Sequence, residues 1–163
     1  MNLMTGQSAQ ELFGGTAPPS VAKLLREAAA AHADPVRAEA LLWSAKLVAP
    51  ECLPVYFALY KFYFYKGRLA EAERCARDGL QTAARAAGLD SHWSRVAAGD
   101  ADFSQNGPAR FWLFTLKALA FIRLRRGDTA ESDALLRHCA KLDPHDQTGA
   151  SVIRSLRQGS AGK

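Results

Sequence analysis

Gly67-Arg68-Leu69-Ala70-Glu71-Ala72 and Gly127-Asp128-Thr129-Ala130-Glu131-Ser132 stand sixty residues apart and read alike. Each begins on a glycine that closes one helical pattern and is followed at once by another. Glycine suits that place because it accepts the left-handed conformation that ends a helix. Outward from the two glycines the correspondence continues. Leu59 and Leu119 each lie eight residues earlier, Pro144 lies seventeen after Gly127, and Pro50 lies seventeen before Gly67. Counted back from Pro50, Ala38, Leu42 and Ala45 match Ser132, Leu136 and Cys139 counted back from Pro144. Small residues at fixed points let paired helices approach closely, so the pattern predicts stacked helical hairpins.

The rest of the chain falls into the same grammar. Residues 1–19 contain Gly14, Gly15, Pro18 and Pro19 and are expected to be flexible. Ser20 is the expected N-cap of a first helix reaching about Ala33, with Val21, Leu24, Leu25 and Ala28 on one stripe. Asp34-Pro35 starts a second helix, which ends before Pro50. A third runs from Leu53-Pro54 to Lys66-Gly67, and a fourth from Leu69 to Ala87 before Gly88. Residues 88–107 are rich in turn formers, with Trp93, Val96 and Phe103 available to dock on a core. Pro108 opens a fifth helix to Arg126. Asp128 with Glu131 predicts a capping box for a sixth, to Leu142. Asp143-Pro144 repeats the earlier start and predicts a last helix over about 145–157, its Val152, Ile153 and Leu156 facing inward as a cap on the stack. The expected organisation is one all-α domain over 20–157 carrying an insert at 88–107, with a frayed tail at 158–163.

Composition supports a helical, soluble reading. The chain is 48% hydrophobic and 23% charged, enough to bury a core while keeping a charged surface. Ala and Leu dominate over β-branched residues, which favours helix. The formal charge of +5 is scattered rather than gathered into a nucleic-acid patch. The one tight basic run, Arg123, Arg125 and Arg126, reads as a solvated helix end favoured by the helix dipole, with a phosphate site as the alternative. Cys52, Cys75 and Cys139 are odd in number and widely spaced, which is no disulfide framework. Met1 to Thr16 lacks the basic start and apolar centre of a secretory signal, and Leu53 to Tyr65 is too short to span a bilayer, so a cytoplasmic protein is expected. No phosphate-binding loop, catalytic constellation or cofactor motif is present. His138, Cys139, Asp143 and His145 could be drawn as a metal site, but neighbours on a helix point apart.

The glycine, leucine and alanine spacings resemble the tetratricopeptide repeat, whose unit is about 34 residues. Units then fall at 19–52, 53–86 and 113–146, with ~26 residues inserted after the second. The third unit keeps the family's small residue as Ala120; the first has Arg26 there and the second Tyr60. The resemblance implies a solenoid of about three antiparallel hairpins with a C-terminal capping helix, and a concave surface lined by the first helix of each unit. Partner-binding positions carried over on that basis are Lys23 (with Glu27) in the first unit and Phe57, Lys61, Phe64 and Tyr65 in the second. In the third they are Phe114, Lys117, Phe121 and Arg125, beside Leu124. For the aromatic helix 53–65 two readings stand, groove exposure of Phe57 and Phe64 or burial in the core.

A basic and aromatic groove suits a protein segment bearing acidic and apolar side chains. The implied function is non-catalytic binding of another protein, as an adaptor, chaperone or assembly factor. The segment from Ala38 to Glu73 is similar to small tetratricopeptide-type proteins found with nitrogen-fixation genes, which implies a nitrogenase component as partner. Leu12 to Thr16, with the chain length, resembles type III secretion translocator chaperones, although the 88–107 insert departs from them. A regulatory nucleic-acid binder is the reading from another class. The carboxylate clamp of heat-shock-chaperone partners needs asparagines that these helices lack.

Overall fold

The computed structural model describes residues 17–161; the segments 1–16 and 162–163, including parts of the expected N-terminal and tail segments, lie outside the described residues. Seven α-helices and no strand occur among the described residues: α1 Pro19–Ala30, α2 Pro35–Val48, α3 Leu53–Tyr65, α4 Leu69–Ala87, α5 Pro108–Arg125, α6 Thr129–Leu142 and α7 Ala150–Ala161, with a short 3-10 turn at Trp93–Arg95. Each helix packs on its predecessor, giving the hairpins α1–α2, α3–α4 and α5–α6 in an all-α, solenoid-like stack. The last helix lies against both α5 and α6. No helix among the described residues is long and apolar enough to cross a membrane.

Local chemistry explains most boundaries. Asp34 caps α2 by accepting from the Arg37 amide at 3.2 Å, and Pro35 occupies the first turn. The glycines aligned in the sequence make the same turn. Gly67 (φ +74°) and Gly127 (φ +87°) are left-handed, and the next residue's amide reaches back across the helix end, Arg68 to the Tyr63 carbonyl and Asp128 to that of Arg123. The aligned positions also share burial: Leu59 with Leu119, Ala38 with Ser132, Leu42 with Leu136, and Ala45 with Cys139 all lie in the core. Ser132 donates to the Ala120 carbonyl at 2.8 Å, which ties α6 to α5 where both residues are small. On α4, Gly79 permits a similar approach, since a Cβ there would sit 3.1 Å from that of Tyr56.

Several expectations are corrected. Pro18, not Ser20, holds the cap position and Pro19 opens the first helix; a proline at the first helical residue needs no amide partner, so the helix starts two residues sooner. That helix ends at Ala30 rather than Ala33. Only half of the capping box forms at α6. Asp128 accepts from the Glu131 amide at 3.0 Å, but Asp128's own amide is spent on Arg123, and the Glu131 carboxylate goes to Arg77 and Arg123. Asp143-Pro144 does not start a helix. The Asp143 carboxylate accepts from the Gln147 and Thr148 amides, each at 2.9 Å, which holds a turn through Asp146 (φ +53°) and Gly149 (φ +74°) and delays α7 to Ala150. Of the three α7 residues expected inward, Ile153 is buried, while Val152 and Leu156 are exposed.

The run at the end of α5 is only partly a solvated helix end: Arg125 and Arg126 are exposed, but Arg123 is half-buried. Arg123 and Arg126 reach across to the buried Glu73 on α4, and Arg123 also meets Asp128 and Glu131. This ionic knot joins the second hairpin to the third. The insert closes the other side of α5. Val96 and Phe103 are buried, the Phe103 ring lies tilted against Trp112 at 5.8 Å, and His138 on α6 holds the Val96 carbonyl at 2.8 Å. As a result every residue of α5 from Phe111 to Ala120 is buried.

Candidate partner-binding groove

Between α1 and α3, over the α2 side chains Ala38 and Leu42, runs an open trough of about 380 Å³. Leu25 and Ala28 of α1 and Phe57, Ala58 and Phe62 of α3 line it, so its surface is almost wholly apolar. Three side chains able to carry positive charge stand on it, His32, Lys61 and Lys66, and no carboxylate does. The two lysines lie over aromatic rings, Lys61 Nζ 5.8 Å from the Phe57 centroid and Lys66 Nζ 5.9 Å from that of Phe62. Neither forms an ion pair among the described residues, unlike Lys46 with Asp78 or Arg68 with Glu39.

An aromatic ridge leads from this trough toward the third hairpin. Tyr65 is half exposed and meets Phe64 edge-on at 5.7 Å, and Phe64 meets Phe121 of α5 at 5.1 Å. The Arg125 guanidinium lies 5.7 Å from the Phe64 centroid. Beyond the ridge, Phe121, Leu124 and Arg125 line a second cavity of about 490 Å³ with Leu156 and Arg157 of α7.

The nine positions carried over from the repeat pattern therefore divide. Phe57, Lys61 and Tyr65 line the trough, and Phe64, Phe121 and Arg125 form the ridge and its far wall. Phe57 is buried yet contributes a wall of the trough, so neither reading of it was complete. Lys23 is exposed on α1, 3.8 Å from Glu27, and does not line the trough. Phe114 and Lys117 are buried and cannot meet a partner. The Lys117 ammonium lies 5.1 Å from the Phe114 ring and donates to the Thr148 carbonyl at 2.6 Å. The turn before α7 thus occupies the space the third unit was expected to leave open. Burial pushes the Lys117 pKa down to about 8.

His32 and Lys66 were missed. Each sits at a helix end, and only the packing of α1 against α3 brings them to one rim. The residues drawn as a metal site do not converge: His138 faces Val96, Cys139 is buried, and Asp143 is spent on the turn.

No protein-family model and no solved structure matches the chain. The chain is 30% identical over 156 residues to a protein of Azotobacter chroococcum mcd 1 described as "Uncharacterized 19.8 kDa protein in nifW 5'region". The match takes in 94% of this chain and 86% of the relative.

Proposed function

Since the chain belongs to the family of that 19.8 kDa nifW 5′-region protein, we propose that it is a non-catalytic, cytoplasmic interaction factor of nitrogen fixation. In this reading it is built of tetratricopeptide-type hairpins and docks on a nitrogenase component as an adaptor, chaperone or assembly factor. The trough between α1 and α3 supports the reading most directly. An apolar floor flanked by Lys61, Lys66 and His32, with no carboxylate on it, suits an acidic and apolar segment of another protein. Aromatic side chains at its edge, Tyr65 above all, supply contact area at low entropic cost. The position of the relative's gene beside nifW supports the nitrogen-fixation setting.

The test is affinity capture from nitrogen-fixing cells, read by mass spectrometry, with wild type and Lys61→Glu run side by side. The reading expects a nitrogenase subunit with wild type and much less of it with the variant. Wild-type capture without any nitrogenase subunit would sink the proposed partner.

A further inference from the structure

Among the described residues two clusters of three arginines differ in their charge balance. In the first, Arg77, Arg123 and Arg126 face Glu73, Glu131 and Asp128, so three guanidiniums meet three carboxylates. The second lies at the far end of the stack. There an open cleft of about 390 Å³ between α6 and α7 is lined by Asp133, Leu136, Arg137, Arg154, Arg157 and Gln158. Three guanidiniums share it with one carboxylate. Asp133 lies 3.4 Å from Arg157 Nε, an ion pair without a hydrogen bond in it. The Arg154 charge also reaches Asp146, but the two form no ion pair.

Helical spacing produces the convergence. Asp133 and Arg137 are four residues apart on α6, and Arg154, Arg157 and Gln158 share a face of α7. Arg154 and Arg157 are half-buried, and their Nε atoms have no hydrogen-bond acceptor among the described residues. Guanidiniums present planar forks of donors that match the oxygens of a phosphate. The volume lies within the range of small-molecule sites, and Leu136 gives one apolar wall for whatever carries the charge.

We propose that the α6–α7 cleft binds a phosphate monoester dianion, held by Arg137, Arg154 and Arg157. It is distinct from the trough, and the inference stands independently of the partner proposed there. The group could arrive on a free phosphorylated metabolite or on a phosphorylated side chain of a protein; the chemistry recognised is the same.

The test is isothermal titration of the full-length chain at constant ionic strength with inorganic phosphate, adenosine 5′-monophosphate and a phosphoserine peptide. Saturable binding at one site is expected with at least one probe. Arg154→Gln should weaken it about tenfold or more, and so should Arg137→Gln, an exposed position whose change leaves the core intact. Lys61→Glu should leave it unchanged. Tighter binding of the nucleotide than of the peptide assigns the site to a metabolite, and the reverse order assigns it to a modified protein. Absence of saturable binding with all three probes overturns the proposal, as does equal binding by wild type and both arginine variants.

Discussion

Replacing Glu73 by Gln probes the joint between the second and third hairpins. The Glu73 carboxylate is buried and accepts from Arg77 Nε at 2.9 Å, from Arg123 Nη1 at 2.8 Å and from Arg126. Hydrogen bonds to charged groups contribute roughly 1.5–3 kcal/mol each, and removing one member of a buried ion pair costs roughly 3–5 kcal/mol. The upper values do not apply, because the arginines are not orphaned. Arg77 keeps Glu131 at 2.8 Å, Arg123 keeps Asp128 and Glu131, and the Arg126 side chain is 36% exposed. Glu73→Gln should therefore cost about 2 kcal/mol at pH 7. That lowers the melting temperature by roughly 4–8 °C for a domain of this size. Acid adds a second signature. Burial alone raises the Glu73 pKa, but the three guanidiniums outweigh it and hold the carboxyl below its usual 4.5. A depressed folded-state pKa contributes stability that is present above the unfolded value and is lost as pH falls through the folded one. Wild type should thus lose more stability than the variant below pH 4.5, and the gap between them should narrow. Urea unfolding of both proteins from pH 7 to pH 3 measures it. A difference under about 0.5 kcal/mol at pH 7, typical of an ordinary surface change, would refute the joint's importance, as would a pH-independent gap.

Other perturbations follow the same logic. Gly67→Ala and Gly127→Ala should each cost about 1 kcal/mol in denaturant unfolding. A Cβ meets nothing within 4 Å at either site, so the left-handed backbone alone carries the effect. For Lys117, burial lowers the folded-state pKa to about 8 from 10.5, so the unfolded chain binds the proton more tightly. Its unfavourable contribution is complete below pH 8 and fades as pH rises toward 10.5. Wild type should therefore gain stability relative to Lys117→Met between pH 7 and pH 10, as calorimetry at several pH values would show.

Features written in consecutive residues were legible in the sequence. The Asp34-Pro35 start and the two glycine turns each depend on chemistry within a few positions. Asp143-Pro144 shows the limit of such reading. The dipeptide is the same as at 34–35, but the Asp143 oxygens bond Gln147 and Thr148, and the chain turns instead of coiling. That turn sets Thr148 over Lys117, which converts an expected groove lysine into a buried strut. Contacts spanning long stretches of chain were not legible at all. Arg123 lies fifty residues from Glu73, and nothing around Arg123 distinguishes a buried ion pair from a solvated helix end. Phe57, Lys61 and Tyr65 were found because the repeat pattern gives the face of α3; Lys66 and His32 required the neighbouring helix.

The central claim is that the trough between α1 and α3 receives an acidic segment of a nitrogenase component. Equilibrium titration with the purified nitrogenase proteins tests it most directly, comparing wild type, Lys61→Glu/Lys66→Glu and Arg74→Glu. The last is an exposed charge reversal on α4, away from the trough. The account predicts binding by wild type and Arg74→Glu, and at least about tenfold weaker binding by the folded double variant. Equal affinity for all three, or no binding by wild type, would contradict it.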